Sequence, residues 1–90
     1  MIVRYNAIFL KILKKKRNVR IRKDFKIAIN LFYKDPLNKK LDNHELEREW
    51  EGYRSIDVNA DWRAVYKEKR EGNSLVAYFS AIGTHEELYT

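Results

Sequence analysis

The fold of this chain is decided by residues 62–82, which read WRAVYKEKREGNSLVAYFSAI. Apolar and polar side chains alternate on both sides of the pair Gly72-Asn73, and such a pair between two alternating segments is a strong signal for a hairpin turn. We therefore predict two strands, residues 62–69 and 75–82, joined by a turn at residues 71–74.

Two more strands are expected before this hairpin. Residues 50–58 also alternate with a period of two, so that Ile56 falls in a mostly apolar phase and Asp57 in a polar phase. The segment Ile2–Tyr5 suits a short first strand. The sequence therefore predicts four strands.

The segment between the first two strands predicts two helices. Asn6 is an N-cap signal for a helix through residues 8–13, and this helix is expected to fray near residue 18. A second helix carries apolar residues at i, i+3, i+4 and i+7 from Phe25. It is expected to end before Pro36, because the residue that precedes a proline avoids the α region.

These elements predict an α+β fold in the order β-α-α-β-β-β. A mostly antiparallel twisted sheet would carry the two N-terminal helices packed on one face. The opposite face would then be open, with Ser55, Asp57 and Arg63 on it and His85 at the end of the last strand. Such a cluster of polar residues on an uncovered sheet face favours a binding groove.

Length and composition limit the kind of protein. Ninety residues, 44% hydrophobic and 36% charged, predict a single folded domain over residues 1–90. Without cysteine, neither a disulfide nor a thiolate zinc site can form. No stretch reaches the roughly 18 apolar residues of a membrane span, so we expect no membrane contact and a cytoplasmic location.

The charge is concentrated in the first half of the chain. Residues 1–40 hold 13 Lys and Arg against 2 Asp and Glu, whereas residues 41–90 hold 6 against 11. Nine of the basic residues lie between Lys11 and Lys26. This pattern predicts a polyanionic partner, either a nucleic acid or an acidic protein. A solvated helix face is the alternative interpretation of the run at residues 14–17.

The two histidines, His44 and His85, suggest a chemistry for that partner. Metal-free cleavage of RNA needs a base for the 2′-hydroxyl, a cation for the phosphorane oxygens and an acid for the departing 5′ oxygen. Imidazole can be base or acid near neutral pH. Two imidazoles, an acid and fixed cations in a chain of net charge +6 supply these groups.

Four segments in order resemble the RelE/ParE superfamily of bacterial and archaeal toxins, specifically its YafQ-like and RelE-like messenger-RNA interferases. These segments are LDNHEL (41–46), WEGYRSIDV (50–58), DWRAVY (61–66) and IGTHEELY (82–89). The resemblance implies a RelE-like fold and the toxin of a type II toxin–antitoxin system. It also implies ribosome-dependent cleavage of mRNA without metal or cofactor, and inhibition by a cognate antitoxin. We expect a monomer when free, and a hetero-oligomer with an acidic, partly disordered antitoxin.

Carried over residue by residue, the resemblance places catalytic or RNA-contacting roles at His44, Asp61, His85 and Tyr89. Arg63 matches an arginine of the RelE-like relatives and would stabilise phosphate charge. We predict that His85 is the principal acid or base and that His44 is the second. Asp61 would be a base or would orient an imidazole, and Tyr89 would stack on a base or donate a hydrogen bond.

The predicted RNA-binding residues lie on the sheet and on the first two helices. They are Arg54, Ser55, Asp57, Lys14, Lys15, Lys16, Arg17, Arg20 and Lys23. The chain departs from the YafQ-like pattern at Ser55 and Asp57, where that pattern has an acid and a histidine. The division of acid and base roles is therefore open.

Structural roles and other functions are the alternatives at this stage. His44 would hydrogen-bond within its loop, Asp61 would be a turn residue, and Tyr89 would pack in the core or against the antitoxin. Arg54 would form a salt bridge facing the helices. A ParE-like toxin that poisons gyrase without nuclease activity has the same fold, and a degenerate basic binding module is the third interpretation.

Overall fold

The computed structural model describes residues 1–89, which form one five-stranded sheet and three helices. The elements are β1 (Ile2–Tyr5), α1 (Ala7–Lys14), α2 (Val19–Lys34), β2 (His44–Glu45), β3 (Arg54–Asp57), β4 (Trp62–Glu71), β5 (Ser74–Thr84) and α3 (His85–Tyr89). Short 3-10 helices lie at Lys16–Asn18, Lys39–Leu41 and Arg48–Trp50. None of the helices in residues 1–89 has the length and hydrophobicity that crossing a membrane requires.

The strands are ordered β1-β5-β4-β3-β2 in the sheet. β1 is parallel to β5, and the other three pairs are antiparallel. The central hairpin, β4 and β5, turns at residues 72–73, where Gly72 has a φ of 60° that glycine adopts without strain. The predicted α+β class and mostly antiparallel sheet are confirmed.

The start of α1 follows the predicted cap. Asn6 Oδ1 accepts a hydrogen bond from Phe9 N at 2.8 Å, and Asn6 Nδ2 donates to Ser80 O at 2.9 Å. The helix ends at Lys14 instead of fraying near residue 18. Lys15 is extended there, and the buried side chain of Asn18 donates to Ile12 O at 2.8 Å, which satisfies a terminal carbonyl group of the helix.

The core lies between the two helices and one face of the sheet. Phe79, in β5, is fully buried, and its ring lies 5.0–5.9 Å from five other rings. These rings belong to Tyr5 of β1, Phe9 of α1, Phe25 and Phe32 of α2, and Tyr66 of β4. The phase predicted for the second helix is confirmed, since its four apolar positions from Phe25 to Phe32 are buried.

The pairing of β4 with β5 contains a bulge. Val65 pairs with Ala81 and Tyr66 pairs with Phe79, so Ser80 is an extra residue in β5. The alternation of faces shifts by one residue at this point. Ile82 consequently packs in the core with Phe79, although the two residues are three positions apart.

Two expectations about the sheet were wrong. The second predicted strand, residues 50–58, is a strand only at Arg54–Asp57, because a 3-10 helix ends at Trp50 and Gly52 has a φ of 90°. The sheet face opposite α1 and α2 is not open along its whole length, since α3 folds against it and Ser55 is fully buried. The sequence also gave no expectation of the short β2.

Phe79→Ala tests whether the aromatic cluster holds the layers together. We expect the variant to lose about 3–5 kcal/mol in free energy of unfolding, because a large buried ring is removed from between sheet and helices. Ile27→Ala on the outer face of α2, where the side chain is 69% exposed, should change it by less than about 0.5 kcal/mol. Urea unfolding followed by circular dichroism measures both. Equal losses in the two variants would contradict this account.

Candidate active site

The short helix α3 is positioned by its own first turn. Thr84 N donates to Glu87 Oε1 at 2.8 Å, and Glu87 N donates to Thr84 Oγ1 at 3.2 Å, which forms a capping box. His85 N donates to Asp61 O at 3.1 Å. A Cβ on Gly83 would lie 3.3 Å from Glu87 Oε1, so glycine allows the helix to fold closely onto the end of β5. His85 is thereby held at the end of the inner strand β5.

Two side chains fasten the other end of α3. Tyr89 donates through its hydroxyl to Ser55 Oγ at 2.9 Å, and Trp50 Nε1 donates to Leu88 O at 2.9 Å. The rings of His85 and Tyr89 meet edge to face with centroids 4.8 Å apart. The phenol of Tyr89 therefore links a buried hydroxyl in β3 to the histidine ring.

His44 is brought to the same place by strand pairing. It lies opposite Ser55 in the β2–β3 pair. Its Nδ1 is 2.7 Å from Asp42 O, and a carbonyl oxygen only accepts, so Nδ1 carries a proton. In the neutral imidazole the lone pair is then on Nε2. The loop hydrogen bond that was an alternative to function thus defines the tautomer of a candidate base.

A cleft of about 380 Å³ collects these side chains. It is lined by Asp42, His44, Leu46, Ser55, Arg63, His85 and Tyr89. Four of the five predicted catalytic residues therefore converge. Asp61 does not line the cleft: it lies in the turn before β4, where its amide donates to Asn59 Oδ1 at 2.9 Å and its carbonyl receives His85 N.

The guanidinium of Arg63 is held from two sides. Its Nη1 donates to the carbonyls of Asn59 (2.9 Å) and Ala60 (3.3 Å) in the turn before β4, and to the carbonyl of Trp62 (3.0 Å) at the start of β4. Its Nε lies 3.0 Å from Asp57 Oδ1. This contact is an ion pair outside hydrogen-bond geometry, because no donor within residues 1–89 hydrogen-bonds to the buried Oδ1. Arg63 is thus a preorganised cation.

Burial raises the pKa of Asp57 above the usual aspartate value. The charges of Arg63 and His44 act in the opposite direction, and the charge of Asp42 adds to the rise. Desolvation is the largest of these effects. Asp57 therefore faces Arg63 as a carboxyl group that gives up its proton less readily than an exposed one.

Asn59 connects the turn before β4 to the helices. Its Nδ2 donates to Asp24 Oδ2 of α2 at 2.9 Å, and its Oδ1 accepts from Asp61 N and Trp62 N, each at 2.9 Å. Its carbonyl accepts from Arg63. One asparagine thus fixes the loop that carries the cleft arginine.

Arg54 lies away from the cleft. It pairs with the core residue Tyr66 across the β3–β4 ladder, so its side chain is on the helix-facing side of the sheet. Arg54 Nε donates to Asn43 Oδ1 at 2.9 Å, and Nη1 lies 3.4 Å from Glu45 Oε1. The structure thus has the salt bridge that was the alternative to an RNA contact.

The predicted basic residues lie at the end of α1, in the following 3-10 helix and at the start of α2. Lys15 and Arg17 line a pocket beside α3 together with Glu87. Hydrogen bonds from Thr84 lower the pKa of Glu87 below its usual value, and the positive charges of Arg17 and Lys15 lower it further. Arg20 Nε lies 3.3 Å from Asp24 Oδ1. Part of the basic surface therefore borders the helix that carries His85.

Comparison with known proteins places this geometry in a family. Residues 3–90 match the model of the YafQ family, which is described as a bacterial toxin of type II toxin–antitoxin systems. The chain belongs to the YafQ toxin family. The resemblance seen in the sequence is confirmed. No curated protein matches the chain significantly in sequence.

Solved structures of YafQ have the same fold as this chain. The crystal structure of YafQ from E. coli strain BL21(DE3) is 25% identical, with a TM-score of 0.73 over 98% of this chain and 97% of that one. In the E. coli DinJ–YafQ toxin–antitoxin complex the values are 25% identity, a TM-score of 0.71, and 98% and 96% coverage. A YoeB/ParE toxin from Agrobacterium tumefaciens shares the fold at 16% identity, with a TM-score of 0.72 and coverage of 94% and 99%.

Sequence reasoning missed three contributors to the cleft of this YafQ-family chain. Asp42 and Leu46 line it, and Asn59 fixes its arginine. Leu46 carries no signal in the sequence. The Thr84-x-x-Glu87 spacing was a readable capping-box signal for the unexpected helix α3.

Asp57→Asn tests the partly buried carboxyl group of Asp57. Since the folded pKa of Asp57 is raised, the folded protein keeps this proton to a higher pH than the unfolded chain does. Between the two pKa values the free energy of unfolding then falls as the pH rises. We expect this component to be missing in Asp57→Asn, which has nothing to titrate. Urea unfolding of both proteins from about pH 3 to 7 gives the difference curve, and a flat difference would show that Asp57 is not perturbed.

Proposed function

We propose that this chain is a metal-independent endoribonuclease that cleaves mRNA at the translating ribosome in the cytoplasm. The observation that carries the proposal is the convergence of His44, His85 and Arg63 on one cleft in a YafQ-family chain. Two proton-transfer groups and one fixed cation are the minimum set for attack of a 2′-hydroxyl on the adjacent phosphorus.

His44 is the base in this proposal and His85 is the acid. The Asp42 carbonyl keeps the proton of His44 on Nδ1, which leaves Nε2 to accept the proton of the 2′-hydroxyl. The 2′ oxygen bonds to phosphorus as the bond from phosphorus to the 5′ oxygen breaks. Protonated His85 gives its proton to that oxygen. The products are a 2′,3′-cyclic phosphate and a 5′-hydroxyl end.

Arg63 stabilises the negative charge of the phosphorane. Its position is fixed by the turn carbonyls and by Asp57 before substrate arrives, so little reorganisation is needed in the transition state. Arg63 also lines the cleft, so the guanidinium that pairs with Asp57 is within reach of a phosphate bound there. This arrangement takes the place of the histidine that the YafQ-like pattern has at this position.

Tyr89 and Asp61 have supporting roles. The hydroxyl of Tyr89 is already bonded to Ser55, so the phenol orients the His85 ring and offers its remaining ring surface to a base. Asp61 positions His85 through its backbone carbonyl.

The basic helices would bind ribosomal and messenger RNA through phosphate contacts. The strength of these contacts would not depend on the RNA sequence and would fall as the salt concentration rises. The residues that supply the contacts are Lys14, Lys15, Lys16, Arg17, Arg20 and Lys23. We also propose that an acidic antitoxin protein covers basic surface and forms a hetero-oligomer with the chain. The DinJ–YafQ complex supports this proposal, because it shows a family member bound to its antitoxin.

The test is induction of wild type, His85→Ala and Lys69→Ala in a bacterial host, followed by primer extension on mRNA. We expect new 5′ ends within translated regions for wild type and for Lys69→Ala, whose substitution lies in the distal part of β4. Loss of the acid should reduce cleavage in His85→Ala about 10²–10⁴-fold. Growth should arrest in the strains with wild type and Lys69→Ala and should continue in the strain with His85→Ala.

Two outcomes would overturn the proposal. Arrest with intact mRNA in all three strains would point to a gyrase-poisoning toxin that acts by binding, a function that the same fold permits. Absence of arrest and of new ends in all three would point to a basic binding module without nuclease activity.

A further inference from the structure

We infer that a second pocket beside α3 is a subsite for the nucleotide next to the scissile step of single-stranded RNA. This inference rests on the proposed function and adds a specificity determinant to it. The pocket has a volume of about 340 Å³. Its walls include Ile12, Ile82 and Trp62, and Lys15, Arg17 and Glu87 also line it.

The pocket adjoins the cleft through two elements. Trp62 and Arg63 are consecutive in β4 and therefore point to opposite faces; the first lines the pocket and the second lines the cleft. In α3, His85 lines the cleft and Glu87 lines the pocket. In this proposal, a strand of RNA whose scissile phosphate lies between the histidines and Arg63 passes over the short helix α3 to reach the pocket.

The side chains of the pocket suit a nucleotide. The partly buried indole of Trp62 presents an aromatic wall, and unpaired bases stack on such walls whatever their identity. Lys15 and Arg17 supply the cations for the phosphate of the same nucleotide. Glu87 lines the pocket with these cations, so a phosphate group has to compete with its carboxylate for them. A nucleotide gains the stacking contact with Trp62 in addition to its phosphate contacts.

The basic segment of the pocket is held in place before RNA binds. Asn18 N donates to Lys15 O at 2.9 Å, and Asn18 Nδ2 donates to Ile12 O at 2.8 Å. Arg22 Nη1 donates to Leu13 O at 2.5 Å and to Lys15 O at 2.9 Å. These bonds satisfy carbonyls at the end of α1 and fix the backbone from which Lys15 projects, which lowers the entropy cost of binding.

Lys34 and Lys39 provide matched controls for Lys15 and Arg17, because they are exposed cations that do not line the pocket and are not among the predicted RNA-binding residues. Each cation is replaced by alanine in the His85→Ala background, and binding of a fluorescein-labelled single-stranded hexaribonucleotide is measured by fluorescence anisotropy. We expect Lys15→Ala and Arg17→Ala to weaken binding about 10-fold, and Lys34→Ala and Lys39→Ala less than about 3-fold.

A second arm tests stacking in the wild-type catalytic background. Ribosome-bound mRNAs with an abasic site on either side of the mapped cleavage step are compared with the intact mRNA. We expect one of the two to raise KM about 10-fold with kcat within about 2-fold. This penalty should shrink in Trp62→Leu, whose folding is checked by urea unfolding, since the stacking wall is already missing.

The failures of the two proposals can be told apart. Equal weakening by all four alanine variants would show a diffuse electrostatic effect and overturn the subsite, while cleavage by the wild type would leave the proposed nuclease standing. RNA binding that needs Lys15 and Arg17, without any cleavage, would overturn the nuclease alone. Unchanged RNA affinity with lost affinity for the acidic antitoxin would assign the pocket to the protein partner and overturn the subsite.

Discussion

The packing of five aromatic rings around Phe79 is the interaction on which the rest of the structure depends. These rings come from β1, α1, α2 and β4, so a single side chain of β5 is in contact with both layers of the fold. The chain has no cysteine and therefore no disulfide, so its stability rests on such packing. Since one sheet face packs against this core, the side chains of the cleft lie on the other face and at the end of the sheet.

The turn before β4 transmits that order to the cleft. Asn59 bonds to Asp24 in the helical layer, and the same turn supplies carbonyls to Arg63 and to His85 N. The positions of a cation and of an imidazole are therefore set by a helix on the far side of the sheet. Rigid elements hold a functional group more accurately than a free loop does, which explains why a domain of this size can build such a site.

Much of the fold could be predicted because it depends on local patterns. Alternation and the Gly72-Asn73 turn define the hairpin, and the spacing from Phe25 defines the buried face of α2. The meeting of His44 with His85 came from the resemblance and not from periodicity. The position of α3 was not predicted, because it depends on contacts between residues far apart in the sequence. One of them is the hydrogen bond from Trp50 Nε1 to Leu88 O, which no local pattern contains.

The bulge at Ser80 has a consequence for how this chain can vary in length. If residues 79–83 alternated regularly, without the bulge, Ile82 would face outward and Gly83 would face the helices, and α3 would begin on the wrong side of the sheet. Asn6 donates hydrogen bonds to the carbonyls of Phe79 and Ser80, so the beginning of α1 is fixed to the same two residues of β5. A change of length in the hairpin turn would leave this arrangement unaltered, whereas insertion or deletion of one residue between Ala81 and Gly83 would turn α3 to the other face of the sheet and move His85 away from the cleft.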